Sequence, residues 1–188
     1  MSKRPALRLA PALVIAAFAS PAFPQTADKP RISVGDQWSY KQVEKDGKET
    51  NWGRKVLSVD GDGGFTVATA PGKTQQFDAS WNFVDPRGAE YSRSAYRFPM
   101  QVGSEWSFVT KQTLQTNLID QRHRFKIVGV EPLTVPAGTF DCFKAEGTSE
   151  ATYKNSYTRQ TKETYWYCPK VNAVAKFVRD TNTTTRES

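Results

Sequence analysis

The sequence predicts an all-β protein, a strongly curved antiparallel sheet of about nine or ten strands that forms a half-open or closed β-barrel. Beyond residue 22 the chain contains four Leu against fourteen Val, and Leu favours helices whereas Val favours strands. No stretch in that part has the apolar period of an amphipathic helix. Turn dipeptides such as Asp46-Gly47 and Pro71-Gly72 separate short runs of strand-forming residues. A sandwich of two sheets is the alternative arrangement.

The N-terminus has the three-part pattern of a secretory signal peptide. Three cations lie within residues 3–8, an apolar run covers 9–19, and cleavage after Ala19 or Ala22 would follow small residues. The apolar run is too short to cross a bilayer as a helix, and no later run is longer. We therefore expect a periplasmic or secreted protein with no transmembrane segment after signal cleavage.

Net charge gives little reason to expect a nucleic-acid partner. The full chain has a formal charge of +7, but three of its cations belong to the predicted signal peptide, which leaves +4. The aromatic residues also lack a coherent basic stripe around them. The predicted divisions are a signal peptide at 1–22, a flexible lead-in at 23–31, a single β domain at 32–180 and a disordered tail at 181–188.

Two short sequences recur in the same order along the chain. VGDQWSY (34–40) matches VGSEWSF (102–108), and KVLSVD (55–60) matches KIVGVE (126–131) in pattern. KVLSVD and KIVGVE are each followed by a turn and then by a strand with a Phe near its start. The repetition predicts two β-meander units of similar plan, unless two strand starts converged on the same short phrase.

Cys142 and Cys168 are the two cysteines of the chain, and an exported protein can keep them as a disulfide. If a hairpin turns around residues 154–156, Cys142 lies directly opposite Cys168. Opposite residues in antiparallel strands are close enough to be bridged. A two-residue turn would shift the register by one residue and weaken the prediction.

No sequence motif points to catalysis. His123, the single His, lies between Arg122 and Arg124, and these cations would disfavour the imidazolium that a general base must become. We predict a surface position for it. The Asp60-Gly-Asp62 stretch lacks the later ligands of a calcium loop. We therefore predict a non-enzymatic protein with no cofactor and no metal site.

Aromatic residues are the remaining functional signal, because several are paired two residues apart and so share one face of a strand. Most simply they fill the core. The functional alternative is an apolar concavity that binds a lipid or another hydrophobic molecule, free or carried by a partner protein. An envelope interaction module that uses a sheet edge or the 109–124 hairpin is a second hypothesis. The candidate ligand-binding residues are Trp38, Tyr40, Trp81, Trp106, Phe108 and Trp166.

Four motifs resemble a family of bacterial exported domains of unknown function. They are V-G-x-x-W at 34–38, F-P-x-x-V-G-x-x-W at 98–106, V-P-A-G-T-F at 135–140 and W-Y-x-P at 166–169. The resemblance covers about residues 34–180 and implies an architecture similar to the half-barrels of lipoprotein-carrier proteins. Members have Gly soon after the W-Y-x-P proline, whereas this chain continues with Lys170-Val-Asn-Ala. The resemblance supplies no catalytic residues.

Overall fold

The computed structural model describes residues 26–114, 117–153 and 157–185, and this part of the chain is almost entirely β-strand. Two 3-10 turns lie at Ala89–Tyr91 and Pro169–Val171. The strands are β1 (Thr26–Ala27), β2 (Gln37–Val43), β3 (Glu49–Val59), β4 (Phe65–Ala70), β5 (Lys73–Phe77), β6 (Met100–Gln101), β7 (Glu105–Leu114), β8 (Asn117–Val135), β9 (Gly138–Tyr153), β10 (Tyr157–Cys168) and β11 (Ala173–Thr185).

The strands form three antiparallel sheets. The four-stranded sheet has the order β2-β3-β4-β5, the five-stranded sheet has the order β11-β10-β9-β8-β7, and β1 pairs with β6. The all-β antiparallel class is confirmed. The prediction of a single, strongly curved sheet is wrong, since no sheet of the described residues is closed or strongly curled. The reason lies in residues 78–99, which make only one isolated bridge and so leave β5 and β7 unjoined.

The predicted divisions agree only in part with the strands. β1 lies inside the predicted lead-in and pairs with β6. β11 continues to Thr185 and so overlaps the tail predicted from residue 181. The signal peptide at 1–22 and the last three residues lie outside the described residues. Within the described chain, no helix has the length and apolar character needed to cross a membrane.

The repeated sequence VGDQWSY (34–40) and VGSEWSF (102–108) forms the same turn at the start of each large sheet. Gly35 donates its N–H to the carbonyl of Val56 at 3.0 Å, and Gly103 donates to Ile127 at 2.8 Å. Both glycines have a left-handed φ, 94° and 88°, which other residues rarely adopt. The equivalent turns place β2 beside β3 and β7 beside β8 in the same way.

The two meanders also share a β-bulge. The pairing register shifts between Val56 and Ser58 in β3, and between Ile127 and Gly129 in β8. A bulge adds one residue to a strand and re-aims its neighbours. Here the added residues, Leu57 and Val128, are exposed, while the preceding residues are buried. The sequence repeat is therefore a repeat of backbone geometry.

Each large sheet has its own apolar core, and one residue belongs to both. Tyr96 packs against the core of the four-stranded sheet and against that of the five-stranded sheet. Trp38 and Trp81 donate their indole N–H to the carbonyls of Val171 and Asn172, at 2.9 and 2.8 Å, just before β11. These bonds join the two sheets at one end.

The disulfide between Cys142 and Cys168 is confirmed. Tyr167 pairs with Phe143 in the register that a turn at 154–156 requires, although those turn residues lie outside the described part. The next pair in this register is the two cysteines, whose Cα atoms are 4.2 Å apart. Both are fully buried, and the ring of Trp166 packs beside them.

We expect that replacing both Cys142 and Cys168 with Ala lowers the free energy of unfolding by about 3 kcal/mol, since a cross-link over this separation restricts the unfolded chain by that amount. Urea unfolding of the variant and the wild type measures it. Thiol titration of denatured, unreduced wild type should find no free thiol. An unchanged urea midpoint would contradict the prediction.

Gly147 of β9 is required because Phe125 of β8 crosses directly over it. A Cβ atom at residue 147 would clash with three ring carbons of Phe125, whereas one at Gly129 would meet no atom within 4 Å. We expect Gly147→Ala to cost about 2 kcal/mol of stability, and the matched control Gly129→Ala to change it by less than about 0.5 kcal/mol. Thermal and urea unfolding test both, and equal effects would refute the packing argument.

Candidate functional site

The inner face of the five-stranded sheet carries a belt of buried polar side chains above its apolar core. The strand register aligns them: His123 of β8 lies opposite Ser149 of β9, and Ser149 lies opposite Thr161 of β10. Hydrophobic residues such as Phe125 and Tyr165 follow on the same face. The polar belt consists of Thr110, Gln121, His123, Ser149, Thr161 and Glu163.

Most of the belt is internally hydrogen-bonded. Gln121 donates to Ser149 Oγ at 2.8 Å and accepts a bond from Gln112. The hydroxyl groups of Thr161 and Thr181 are 3.3 Å apart. Buried polar groups are costly unless they are partnered, so these bonds allow a polar layer to persist inside the sheet.

Four consecutive residues of the chain, 93–96, cover one end of the belt, and each of them is anchored. We call residues 93–96 the covering segment. Its contacts are Arg93 with Glu163, the Ser94 carbonyl with Trp106 Nε1 at 2.9 Å, the Ala95 carbonyl with the Tyr165 hydroxyl at 3.1 Å, and the Tyr96 backbone with Asn82. This role could not be expected from the sequence, because the stretch has the composition of a polar loop.

Glu163 is the carboxylate at the centre of these contacts. It is 5% exposed and accepts from Arg93 at 2.6 Å through Oε2 and from Arg179 at 2.9 Å through Oε1. A carboxylate this buried requires such compensation. The pair of arginines comes from different elements, the covering segment and β11, so Glu163 joins the segment to the sheet.

A cleft of about 280 Å³ opens beside the covering segment. We call it the belt cleft. Its lining combines part of the polar belt with a ring of cations and includes one carboxylate. The lining residues are Arg87, Tyr91, Arg93, Thr110, Lys111, Gln112, Gln121, His123, Arg159, Thr161, Glu163, Arg179 and Thr181.

His123 lies in this lining and is only 2% exposed, so the prediction of a surface position is wrong. Its Nε2 is 2.9 Å from Thr110 Oγ1, and its ring stacks on Phe108 with centroids 4.5 Å apart. Its neighbours Arg122 and Arg124 lie on the opposite, exposed face of the strand. The alternation with Phe125 and Ile127 was the sequence signal for burial, because residues two apart share a face.

Two side-chain nitrogens in the belt cleft lack a hydrogen-bond partner among the described residues. They are Nδ1 of His123 and Nε of Arg93, and both are buried. Burial, with a smaller contribution from the charge of Arg93, lowers the pKa of His123 from 6.5 to about 4. The imidazole is therefore neutral at neutral pH, and no carboxylate orients its Nδ1 as in a catalytic triad.

The six aromatic candidates do not meet in one place. Trp38 packs edge-on against Trp81, with ring centroids 5.0 Å apart, in the core of the four-stranded sheet. Tyr40 stacks on Trp52 at 4.4 Å. The guanidinium of Arg54 occupies the space among these rings, 5.4 Å from the Trp81 centroid, so this aromatic group is filled by a cation of the chain itself.

The remaining three candidates belong to the five-stranded sheet but to both of its faces. Trp106 stacks on Phe125 at 5.5 Å, and Phe108 stacks on His123. Trp166 lies on the opposite face beside the disulfide and donates to Glu131 at 2.6 Å. None of the six lines the belt cleft. Their contacts are with neighbouring side chains and, for Trp38, Trp81 and Trp106, also with backbone carbonyls.

A second cleft, of about 510 Å³, lies along the β7–β8 hairpin near Leu118 and Asp120. Its lining includes two cations and two carboxylates and so has no preferred charge. Across the described ranges, no group of three or more His, Cys, Asp or Glu side chains is arranged to hold a metal ion. The belt cleft is therefore the better-defined candidate site.

The chain matches no protein-family model, no curated protein and no solved structure. The resemblance to exported domains with the V-P-A-G-T-F and W-Y-x-P motifs stays a prediction. The functional argument consequently rests on the chemistry of the belt cleft.

We expect stability to fall between about pH 7.5 and about pH 5 by about 2 kcal/mol because of His123. Its pKa of about 4 in the folded protein lies below 6.5, so the unfolded chain binds a proton that the folded chain excludes. The stabilisation is complete above the unfolded pKa and is lost as the pH falls towards 4. Arg93, Arg179 and Glu163 are the charged groups that act on the ring.

Urea unfolding across this pH range tests the expectation. The control is His123→Phe, which keeps an aromatic ring against Phe108 but cannot titrate. Since His123 is the single His, the variant should show a nearly flat profile above about pH 5, where carboxylates are ionised. A wild-type profile as flat as that of the variant would show that the ring is not buried in its neutral form.

Proposed function

We propose that the protein is a non-enzymatic binding protein of the periplasm or the extracellular space that holds a small polar ligand in the belt cleft. One observation carries the proposal: His123 is buried in the cleft lining with Nδ1 unpartnered. Leaving such a nitrogen unsatisfied costs about 1–3 kcal/mol. A phenylalanine would stack on Phe108 without that cost, so a ligand group that bonds to the imidazole accounts for its presence.

The charged groups of the cleft favour binding over catalysis. Glu163 is the carboxylate of the lining, and two arginines hold both of its oxygens. Both oxygens are thus engaged by arginines of the chain itself. Thr110 occupies the other imidazole nitrogen of His123.

The location outside the cytoplasm is supported by two independent features. The N-terminal 22 residues have the pattern of a signal peptide. The buried disulfide is of the kind that persists in oxidising compartments. A hydrophobic ligand has less support, because the aromatic candidates pack against neighbouring side chains and line neither cleft.

An interaction module that uses the 109–124 hairpin is the second candidate. Val109 and Leu118 are about half exposed on the outer face of this hairpin, beside the second cleft. Apolar side chains at such positions are a common feature of protein contact surfaces. Residues 115–116 lie outside the described part of the chain.

Thermal shift and calorimetry with a panel of soluble polar compounds test the main proposal. The panel includes neutral sugars, zwitterionic amino acids, carboxylates and phosphate. We expect at least one compound to raise the melting temperature of the wild type and to bind His123→Phe at least about tenfold more weakly, as for loss of a buried hydrogen bond.

Leu118→Ser is the control, since it alters the outer hairpin face and leaves the belt cleft intact. Binding should be unchanged in this variant. No binding by the wild type, or equal binding by His123→Phe, would refute the belt cleft as a ligand site. Loss of binding in Leu118→Ser alone would favour the hairpin instead.

A further inference from the structure

We infer that the ligand group bound in the belt cleft is an oxyanion, a carboxylate, phosphate or sulfate group that accepts hydrogen bonds from Arg93 and His123. This inference rests on the proposed function and adds the chemical class of the ligand. It follows from the charge balance of the cleft and from the types of its two unpartnered nitrogens.

The charge balance favours an anion. The cleft lining contains five cations and one carboxylate. The charge of Arg87 is balanced by Asp85, which accepts two hydrogen bonds from the guanidinium. These bonds lower the pKa of Asp85 to about 2. Glu163 compensates for one of the two arginines that it contacts. The lining keeps three positive charges in excess, and a cleft with an excess of one sign of charge concentrates ions of the opposite sign.

Two of these cations have no carboxylate within ion-pair distance in the described part of the chain. They are Arg159 on β10 and Lys111 on β7, and Lys111 also lines the second cleft along the hairpin. Arg159 instead lies over the ring of Tyr153, 5.3 Å from its centroid. A guanidinium held by stacking keeps its N–H groups available for an oxyanion.

The unpartnered nitrogens call for an acceptor. Nε of Arg93 can only donate, because guanidinium has no acceptor atom, and its other end is fixed by the bond to Glu163. The Thr110 hydroxyl can donate to Nε2 of His123, which leaves a donating Nδ1–H. An oxyanion supplies acceptors to both donors without any donor of its own, which a neutral sugar or amide cannot do.

A buried oxyanion would also interact with Glu163 unfavourably, and this restricts its position. Arg93 contacts Glu163 through a terminal nitrogen and its Nε is buried in this structure, so the guanidinium must turn towards the cleft to reach a second anion. The five donors of one guanidinium are enough to contact two anions at once. The ligand is thus expected to share Arg93 with Glu163 and to lie towards His123 and Arg159.

Isothermal titration of the full mature protein with matched probes tests the inference. Glycerol phosphate and citrate are the oxyanion probes, and glycerol and a neutral hexose are the uncharged ones. We expect binding of an oxyanion, no binding of the uncharged probes, and a fall in affinity as salt is raised.

Arg159→Gln should weaken oxyanion binding at least about threefold, and His123→Phe at least about tenfold, as for loss of charged hydrogen bonds. Lys162→Gln is the matched control. It removes one cation from the exposed face of the same strand β10 and should leave the affinity unchanged.

The outcomes separate the two proposals. Binding of a neutral panel compound with no oxyanion binding overturns the anion inference and leaves the proposed function standing. No binding of any compound overturns both. Oxyanion binding that Lys162→Gln weakens as much as Arg159→Gln shows an adventitious ion on a basic surface and overturns the inference.

A further arm identifies the source of the oxyanion, since a phosphate group can belong to a lipid headgroup or to a free metabolite. Flotation with phosphatidylglycerol vesicles, against phosphatidylcholine vesicles, is compared with titration by soluble glycerol phosphate. Binding to both supports a headgroup, and binding to the soluble probe alone supports a free anion.

Discussion

The candidate site depends on the ion pairs that the buried carboxylate of Glu163 forms with two arginines. Its position between Arg93 and Arg179 satisfies both of its oxygens inside the protein, and without these cations a charge at 5% exposure would be too costly to keep. The same bonds fix where Arg93 lies. The covering segment therefore has a definite position, and the cleft beside it has definite walls.

The covering segment is held in place by hydrogen bonds although it forms no strand. Asn82 bonds to both backbone groups of Tyr96 and also donates to Asp78. Tyr96 in turn packs edge-on against Tyr165, with centroids 4.8 Å apart, and contacts both cores. Residues 78–99 thus connect the two open meanders through hydrogen bonds and side-chain packing. A closed barrel would instead pair β5 with β7.

The two faces of the five-stranded sheet have different properties. The outer face contains the disulfide and Trp166, which lies between Lys144 and Lys176, and this region holds β9 and β10 together. The inner face changes from an apolar core to the polar belt over one or two residues of each strand. Gly147 permits that change, since Phe125 lies across it, and Glu163 pairs with Gly147 on the adjoining strand.

The sequence by itself determined the β class, the repeated turn and the disulfide register, because alternation, turn chemistry and hairpin pairing are local along the chain. The same alternation could have placed His123 beside Phe125 and Ile127, but the flanking arginines obscured it. Only the tertiary structure decided that the sheets stay open and that Arg93, Glu163 and Arg179 meet. Those residues are separated by up to 86 positions, and no local rule specifies which distant charges will compensate one another when a carboxylate is buried.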